Sequence, residues 1–206
     1  MVEPISQERW EQAKSGELNH YDYGNDENYK RTSMIILRDH FNLDLENDLV
    51  GKKVLEVGGG AYPSVFHVTG LSKAVSVEPN FDNFPENVKE NFKNANVECT
   101  SIGFEDYKGR TKFDEVWFFN VLQHVRDPQL QISNAKKIAK TIRVFEPIDT
   151  ATNNEHPHSF SADFFREQFP ESEVKIYPGG SISGFHGASC AYLTWTKDEK
   201  KRTSKR

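Results

Sequence analysis

Two glutamates, each set at the end of an apolar run and followed by a turn, carry the clearest chemistry in this chain. Glu56 lies in Lys53-Val54-Leu55-Glu56-Val57-Gly58-Gly59-Gly60, and Glu78, twenty residues after Gly58, closes Ala74-Val75-Ser76-Val77-Glu78 before Pro79. Gly58 and Gly60 allow a sharp turn and a close approach of backbone to a ligand. An acid at the end of a second strand is placed to accept hydrogen bonds from two ribose hydroxyls. A dinucleotide fingerprint would need a glycine at position 63, where Pro63 stands, and no Gly-Lys-Ser or Gly-Lys-Thr holds a triphosphate. Glu56 just before the turn is poorly suited to a pyrophosphate and well suited to a cationic ligand. The residues therefore describe a nucleoside site without a polyphosphate.

Such a site needs strands that end together. Apolar runs predict strands at 53–57, 74–78, about 97–102, 113–119, 141–146, 174–177 and 191–196. Val54 to Val57 can be buried on both faces, as a central parallel strand must be. Helices are predicted over Ile5 to Ala13, over Tyr29 to Phe41, after the glycine turn from Pro63, over about 129–139, and from a Ser161 cap through Gln168 with Phe160 and Phe165 as a hydrophobic staple. This alternation predicts an α/β fold, a doubly wound, mainly parallel seven-stranded sheet with helices on both faces and an N-terminal helical segment. The organisation expected is a cap segment over 1–45, a catalytic domain over 46–196 and a disordered basic tail over 197–206. Ligands of such sheets sit at the carboxyl ends of the strands, near the switch point.

Composition narrows the partners. Six Lys or Arg against Asp198 and Glu199 put the last ten residues at +4, so the rest carries −9 of the net −5. An acidic body is a poor phosphate-binding surface, which speaks against nucleic acid. No run of eighteen apolar residues predicts a membrane span, and the first residues do not read as a signal peptide. Cys99 and Cys190 form no Cys-x-x-Cys pair, so reduced thiols and a cytoplasmic location are expected. The sequence does not indicate an oligomeric state.

Glu56-x-Gly58-x-Gly60 followed by Glu78 resembles the S-adenosylmethionine site of class I methyltransferases. Asp114-Glu115-Val116, then Asn120-Val121-Leu122-Gln123-His124-Val125-Arg126-Asp127-Pro128, is similar to the fourth-strand signature of their small-molecule members. Residues 143–150 and 156–161 resemble bacterial and phage members associated with sugar or surface-polysaccharide functions. The resemblance spans roughly 50–196. It implies S-adenosyl-L-methionine as cofactor, S-adenosyl-L-homocysteine as product, and a small-molecule acceptor, with an oxygen of a sugar or saccharide-linked metabolite expected. It implies cofactor contacts from Glu56, Gly58, Gly59, Gly60, Glu78, Pro79, Phe104, Glu105, Asn120 and Val121. Family members often carry an aspartate where Gly103 stands, so adenine contact is expected from the Phe104 backbone N–H. Neither the Asn/Asp-Pro-Pro-aromatic motif of base amino-methylation nor the Pro-Cys of cytosine methylation is present.

His124, His156 and His158 are the candidates for acceptor contact or general base, with His186 as a further residue closing the pocket. Their alternative is a cofactor wall for His124 and a solvated loop for the others. Glu146, Asp149, His156 and His158 match no tight ligand motif, so no metal is expected. Tyr21, Tyr23 and Tyr29 lie in a polar stretch without strand periodicity, which predicts an N-terminal segment folded over the pocket. Two other readings stay open: a module of the same fold that binds without transferring, and an aminopropyl transferase.

Overall fold

The computed structural model describes residues 2–19, 26–179 and 187–197. His20, Tyr21, Tyr23, His186 and the tail from Asp198 onward lie outside the described residues. Among the described residues one sheet contains β1 (Lys53–Val57), β2 (Lys73–Val77), β3 (Val97–Thr100), β4 (Phe113–Phe119), β5 (Ala139–Ile148), β6 (Lys175–Tyr177) and β7 (Ser189–Thr196). Their order is β3-β2-β1-β4-β5-β7-β6. The strands from β3 to β5 pair in parallel, and β7 runs antiparallel to both β5 and β6. The doubly wound, mainly parallel architecture expected from the alternation is present, and its direction of winding reverses between β1 and β4.

Both faces of the sheet are covered because the central strands are apolar on both. Leu55 and Val57 join Val116, Phe118, Ile142 and Val144 in one core layer. Val54 joins Ala74, Trp117, Phe119 and Phe145 in the other, together with Ile36, Leu37, Leu43, Leu45 and Leu49 from before β1. The helices are α1 (Gln7–Leu18), α2 (Asp26–Met34), α3 (Glu86–Asn94), α4 (Pro128–Ile138) and α5 (Ala162–Gln168). Ser161 caps α5 by accepting from the Phe164 N–H at 3.4 Å, and the Phe160 and Phe165 rings meet at 5.5 Å, as the staple requires.

Four elements differ from the sequence expectation. After the glycine turn only a short 3₁₀ turn forms, Ser64–His67. The chain then returns to β2 through Gly70 at φ +70°. The second predicted helix starts earlier, and its end, Ile35–His40, is wound as a π-helix. The helix α3 escaped notice because only Val88 and Phe92 mark its buried face in an otherwise polar stretch. Finally, α1 runs on to Leu18 instead of stopping at Ala13. Ser6 caps its start by accepting from the Arg9 N–H at 3.1 Å. Beyond Ala13 the helix turns polar, so apolar periodicity could not follow it. That added stretch brings Glu17 to the site. No helix among the described residues is long and apolar enough to cross a membrane.

Candidate functional site

The predicted residues gather at the carboxyl ends of β1, β2 and β4. At the end of β1, Glu56 is 2% exposed, and its two oxygens accept from the Ser64 and Val65 N–H groups at 3.0 and 2.9 Å. Burial pushes its pKa up to about 7, against the pull of those backbone donors. Glu56 thus fixes the exit of the glycine turn. Gly58 and Gly60 both sit at φ +61°, a region that suits glycine. A Cβ on Gly58 would also collide with the Val121 side chain across the switch point. Gly58→Ala therefore combines backbone strain with overlap, and a loss of at least about 2 kcal/mol of stability is expected. Thermal melting checks this. Adding Val121→Ala should restore the packing part and leave the strain, and a fully restored midpoint would contradict it.

Glu78, 3% exposed, is held at the end of β2. One oxygen accepts from the Gly60 N–H at 3.0 Å and the other from the Asn80 N–H at 2.8 Å. Burial pushes its pKa up to about 7, with the two backbone donors opposing. A carboxylate offers about four lone-pair sites, so each oxygen keeps room for one more donor. Pro79 follows directly, and its carbonyl accepts from the Ser101 hydroxyl at 3.2 Å. The loop after β3 is pinned differently. Phe104 is buried against Tyr107 and Phe118, and Glu105 accepts from the Arg126 and Asp127 N–H groups at 3.2 Å each. Gly103 lies beneath α1: a Cβ there would stand 3.3 Å from the Trp10 indole. A Cβ at Gly103 would also stand 2.9 Å from Glu105 Oε2.

Beyond β4, Asn120 adopts φ +55° and donates its N–H to the Phe145 carbonyl at 2.8 Å. The next two N–H groups, of Val121 and Leu122, converge on one oxygen of Glu146 at 2.8 and 2.9 Å. Glu146 is fully buried, and its second oxygen has no hydrogen-bond partner among the described residues. Burial pushes its pKa up to about 8. Sequence reading weighed Glu146 only as a metal ligand. Its role as anchor of the turn depends on the pairing of β5 with β4, which no local motif announces.

The histidines separate into two groups. His158 is buried, with Nε2 donating to the Val125 carbonyl at 2.8 Å and its backbone N–H to the Gln123 carbonyl at 3.3 Å. It packs beneath the mouth and does not line it. His124 and His156 face each other, ring centroids 4.6 Å apart. Burial pushes the His124 pKa down to about 4, with the Glu155 carbonyl opposing. His124 Nδ1 lies 3.1 Å from that carbonyl and 3.3 Å from Glu17 Oε1, and His156 Nε2 lies 3.7 Å from the same Glu17 oxygen. Glu17 arrives on α1, which lies across the mouth. Arg9 donates to the Asn153 and Asn154 carbonyls at 2.6 and 2.7 Å, and the Asn80 amide donates to the Lys14 carbonyl at 3.0 Å. Two surface clefts are present, one beside Asp149 and Asp163 and one beside Tyr62 and His67, and neither is lined by Glu78 or the turn glycines.

No protein-family model matches the chain, and no curated protein sequence matches it. Solved structures do. One is the 1,6-didemethyltoxoflavin-N1-methyltransferase of Burkholderia thailandensis, with its substrate and S-adenosylhomocysteine bound: 12% identity over 95% of this chain and 94% of that one, TM-score 0.60. Another is the N-terminal domain of EvdMO1, solved in the presence of S-adenosylhomocysteine and D-fucose: 15% identity over 93% and 97%, TM-score 0.56. A third is the cyclase SpnF: 12% identity over 82% and 81%, TM-score 0.61. At these identities the likeness shows the fold, which is that of class I S-adenosylmethionine-dependent methyltransferases.

Proposed function

We propose that this chain is an S-adenosylmethionine-dependent methyltransferase acting on a small molecule, with an oxygen of a sugar or saccharide-linked metabolite as acceptor. The observation that carries the reading is Glu78, a desolvated carboxylate at the end of β2 with one acceptor position left on each oxygen. A ribose diol supplies two donors, which would match the acceptor position left on each oxygen. Glu56 and the turn Gly58-Gly59-Gly60 would hold the methionine part, the Phe104 N–H the adenine, and Asn120 and Val121 the region of the methyl group. Bound there, the cofactor supplies a methyl group already activated on a sulfonium. The protein's task is to hold the acceptor in line, and positioning alone is worth about 7–11 kcal/mol. His124, His156 and Glu17 are the groups at the mouth able to take up a hydroxyl proton, a contribution of about 10²–10⁴-fold. His158 supports the same loop from below. The oxygen acceptor draws support from the resemblance of residues 143–150 and 156–161 and from a neighbour solved in the presence of D-fucose.

A second reading, a binding module without turnover, is favoured by one feature: α1 is tied across the mouth by Arg9, Lys14 and Glu17. A fold also hosts unrelated activities, and one neighbour is named a cyclase. Calorimetric titration with S-adenosylmethionine and S-adenosylhomocysteine, beside NAD, separates the readings. Binding of both adenosyl ligands at about micromolar Kd, without NAD binding, is expected. Absence of binding to either would reject the cofactor assignment and put the module first.

A further inference from the structure

Three side chains from distant parts of the sequence meet at the mouth: Glu17 from the end of α1, His124 after β4, and His156 after β5. One ligand atom of each lies within 4.8 Å of the other two. The separations discriminate between two ways of joining these groups. Charge-assisted N–H to carboxylate hydrogen bonds run about 2.7–2.9 Å. Glu17 Oε1 stands 3.3 Å from His124 Nδ1 and 3.7 Å from His156 Nε2, too far for that. Ligand atoms held about 2.1 Å from one ion at tetrahedral angles stand about 3.4 Å apart, and the two observed separations bracket this edge. The Glu155 carbonyl oxygen, 3.1 Å from the same His124 nitrogen, adds a fourth donor. Two imidazoles with a carboxylate suit zinc and other borderline divalent ions, whereas magnesium and calcium take oxygen sets.

We propose that Glu17, His124 and His156 form a binding site for one divalent ion of the zinc class, with the Glu155 carbonyl beside it. This reverses the expectation of no metal from the sequence, which weighed a different set. Glu146 is engaged with Val121 and Leu122 and His158 with Val125, so of that set only His156 belongs to the cluster. The ion changes the local hydrogen bonding in a definite way. Without it, His124 Nδ1 faces two oxygens and carries the hydrogen. With it, that hydrogen moves to Nε2, and the Gln123 amide 3.3 Å away accepts it only by turning and giving up its 2.9 Å bond to Asn120 Oδ1. Asn153, whose amide nitrogen faces His156 Nδ1 at 3.2 Å, must likewise release the Glu155 and His156 N–H groups that its oxygen accepts at 2.9 and 2.7 Å. An ion so held clasps α1 to the loops after β4 and β5.

The test uses the metal-stripped full chain, titrated with zinc chloride in a calorimeter and with cobalt chloride in a visible spectrometer. One ion per chain is expected, with a Kd of about micromolar or tighter. Glu17→Gln and His156→Gln should each weaken zinc binding by about tenfold or more, while His67→Gln should match wild type. No zinc binding below about 1 mM, or equal affinity in wild type and both cluster variants, would overturn the site. If either variant loses its fold by circular dichroism, the wild-type imidazole nitrogen spectrum decides. Zinc-induced shifts at His124 and His156 support the site, and shifts confined to other histidines overturn it. None of these readouts involves an adenosyl ligand, so the outcome is independent of the cofactor assignment, while a bound ion would take the lone pairs otherwise able to accept a hydroxyl proton.

Discussion

Glu78→Ala is expected to weaken S-adenosylhomocysteine binding by about 100-fold. Hydrogen bonds to a charged group contribute about 1.5–3 kcal/mol each, and losing two from a ribose diol is worth about 3 kcal/mol or more, hence two decades in Kd. The carboxylate also holds the Gly60 and Asn80 N–H groups, so alanine leaves both unpaired and loosens the turn. Glu78→Gln separates the effects: the amide retains one oxygen, and binding should fall by an intermediate amount. A diol stabilises the ionised form, and burial holds the Glu78 pKa at about 7 in the free chain. Affinity in wild type should therefore rise with pH through about 7, and the Gln variant should lose that dependence. Calorimetry across this range, with melting curves as a fold control, provides the check. Equal affinity in wild type and Glu78→Ala would remove the cofactor assignment.

The strands that carry the site were legible because each is a short apolar run closed by a residue with its own signature. Glu56 and Glu78 mark the ends of β1 and β2, and Asn120 marks the end of β4. Period and turn chemistry suffice there because the strands are buried on both faces. The covering of the site was not legible. The last turn of α1 is polar because it faces other polar groups: Gly16 passes where a Cβ would stand 2.9 Å from Glu155, and Glu17 meets two histidines more than a hundred residues away. With only Trp10, Ala13 and Leu18 turned inward, α1 offers too sparse an apolar stripe to read beyond Ala13. The same holds for Glu146, whose function follows from a register between β4 and β5. His158 shows the converse error. Its spacing beside His156 suggested the mouth, while the loop between β5 and α5 turns it inward onto the Val125 carbonyl.

In the proposed function, the docking of α1 would link cofactor recognition to acceptor specificity. Trp10 stands against Gly103, in the loop expected to meet adenine, while Glu17 stands at the expected place of the acceptor. One helix therefore touches both halves of the proposed site, and its first and last turns are held by different partners. Movement of α1 would open both halves together, consistent with a cap of polar contacts that forms and breaks at modest cost.

Glu146→Gln should flatten the dependence of folding stability on pH. The carboxyl is fully buried, one oxygen accepts from Val121 and Leu122, and the other has no partner among the described residues. Burial raises the folded pKa from 4.5 to about 8. The sign follows from linkage: the folded state keeps a proton that the unfolded chain releases, so this stabilisation is complete below about pH 4.5. It is lost progressively as pH rises to about 8, at about 1.4 kcal/mol per pH unit, with about 5 kcal/mol as the upper bound. Glu56 and Glu78 add loss of the same sign up to about pH 7. Glutamine keeps the oxygen that holds the Val121 and Leu122 N–H groups and replaces an unpaired O–H by an unpaired N–H, so near neutral pH the exchange costs little. Urea unfolding between about pH 5 and 8 measures the slopes. Wild type should lose stability across the range, and the variant should lose less, by one proton's share. Parallel slopes would mean that Glu146 is ionised in the folded chain, and that its second oxygen finds a donor at the mouth.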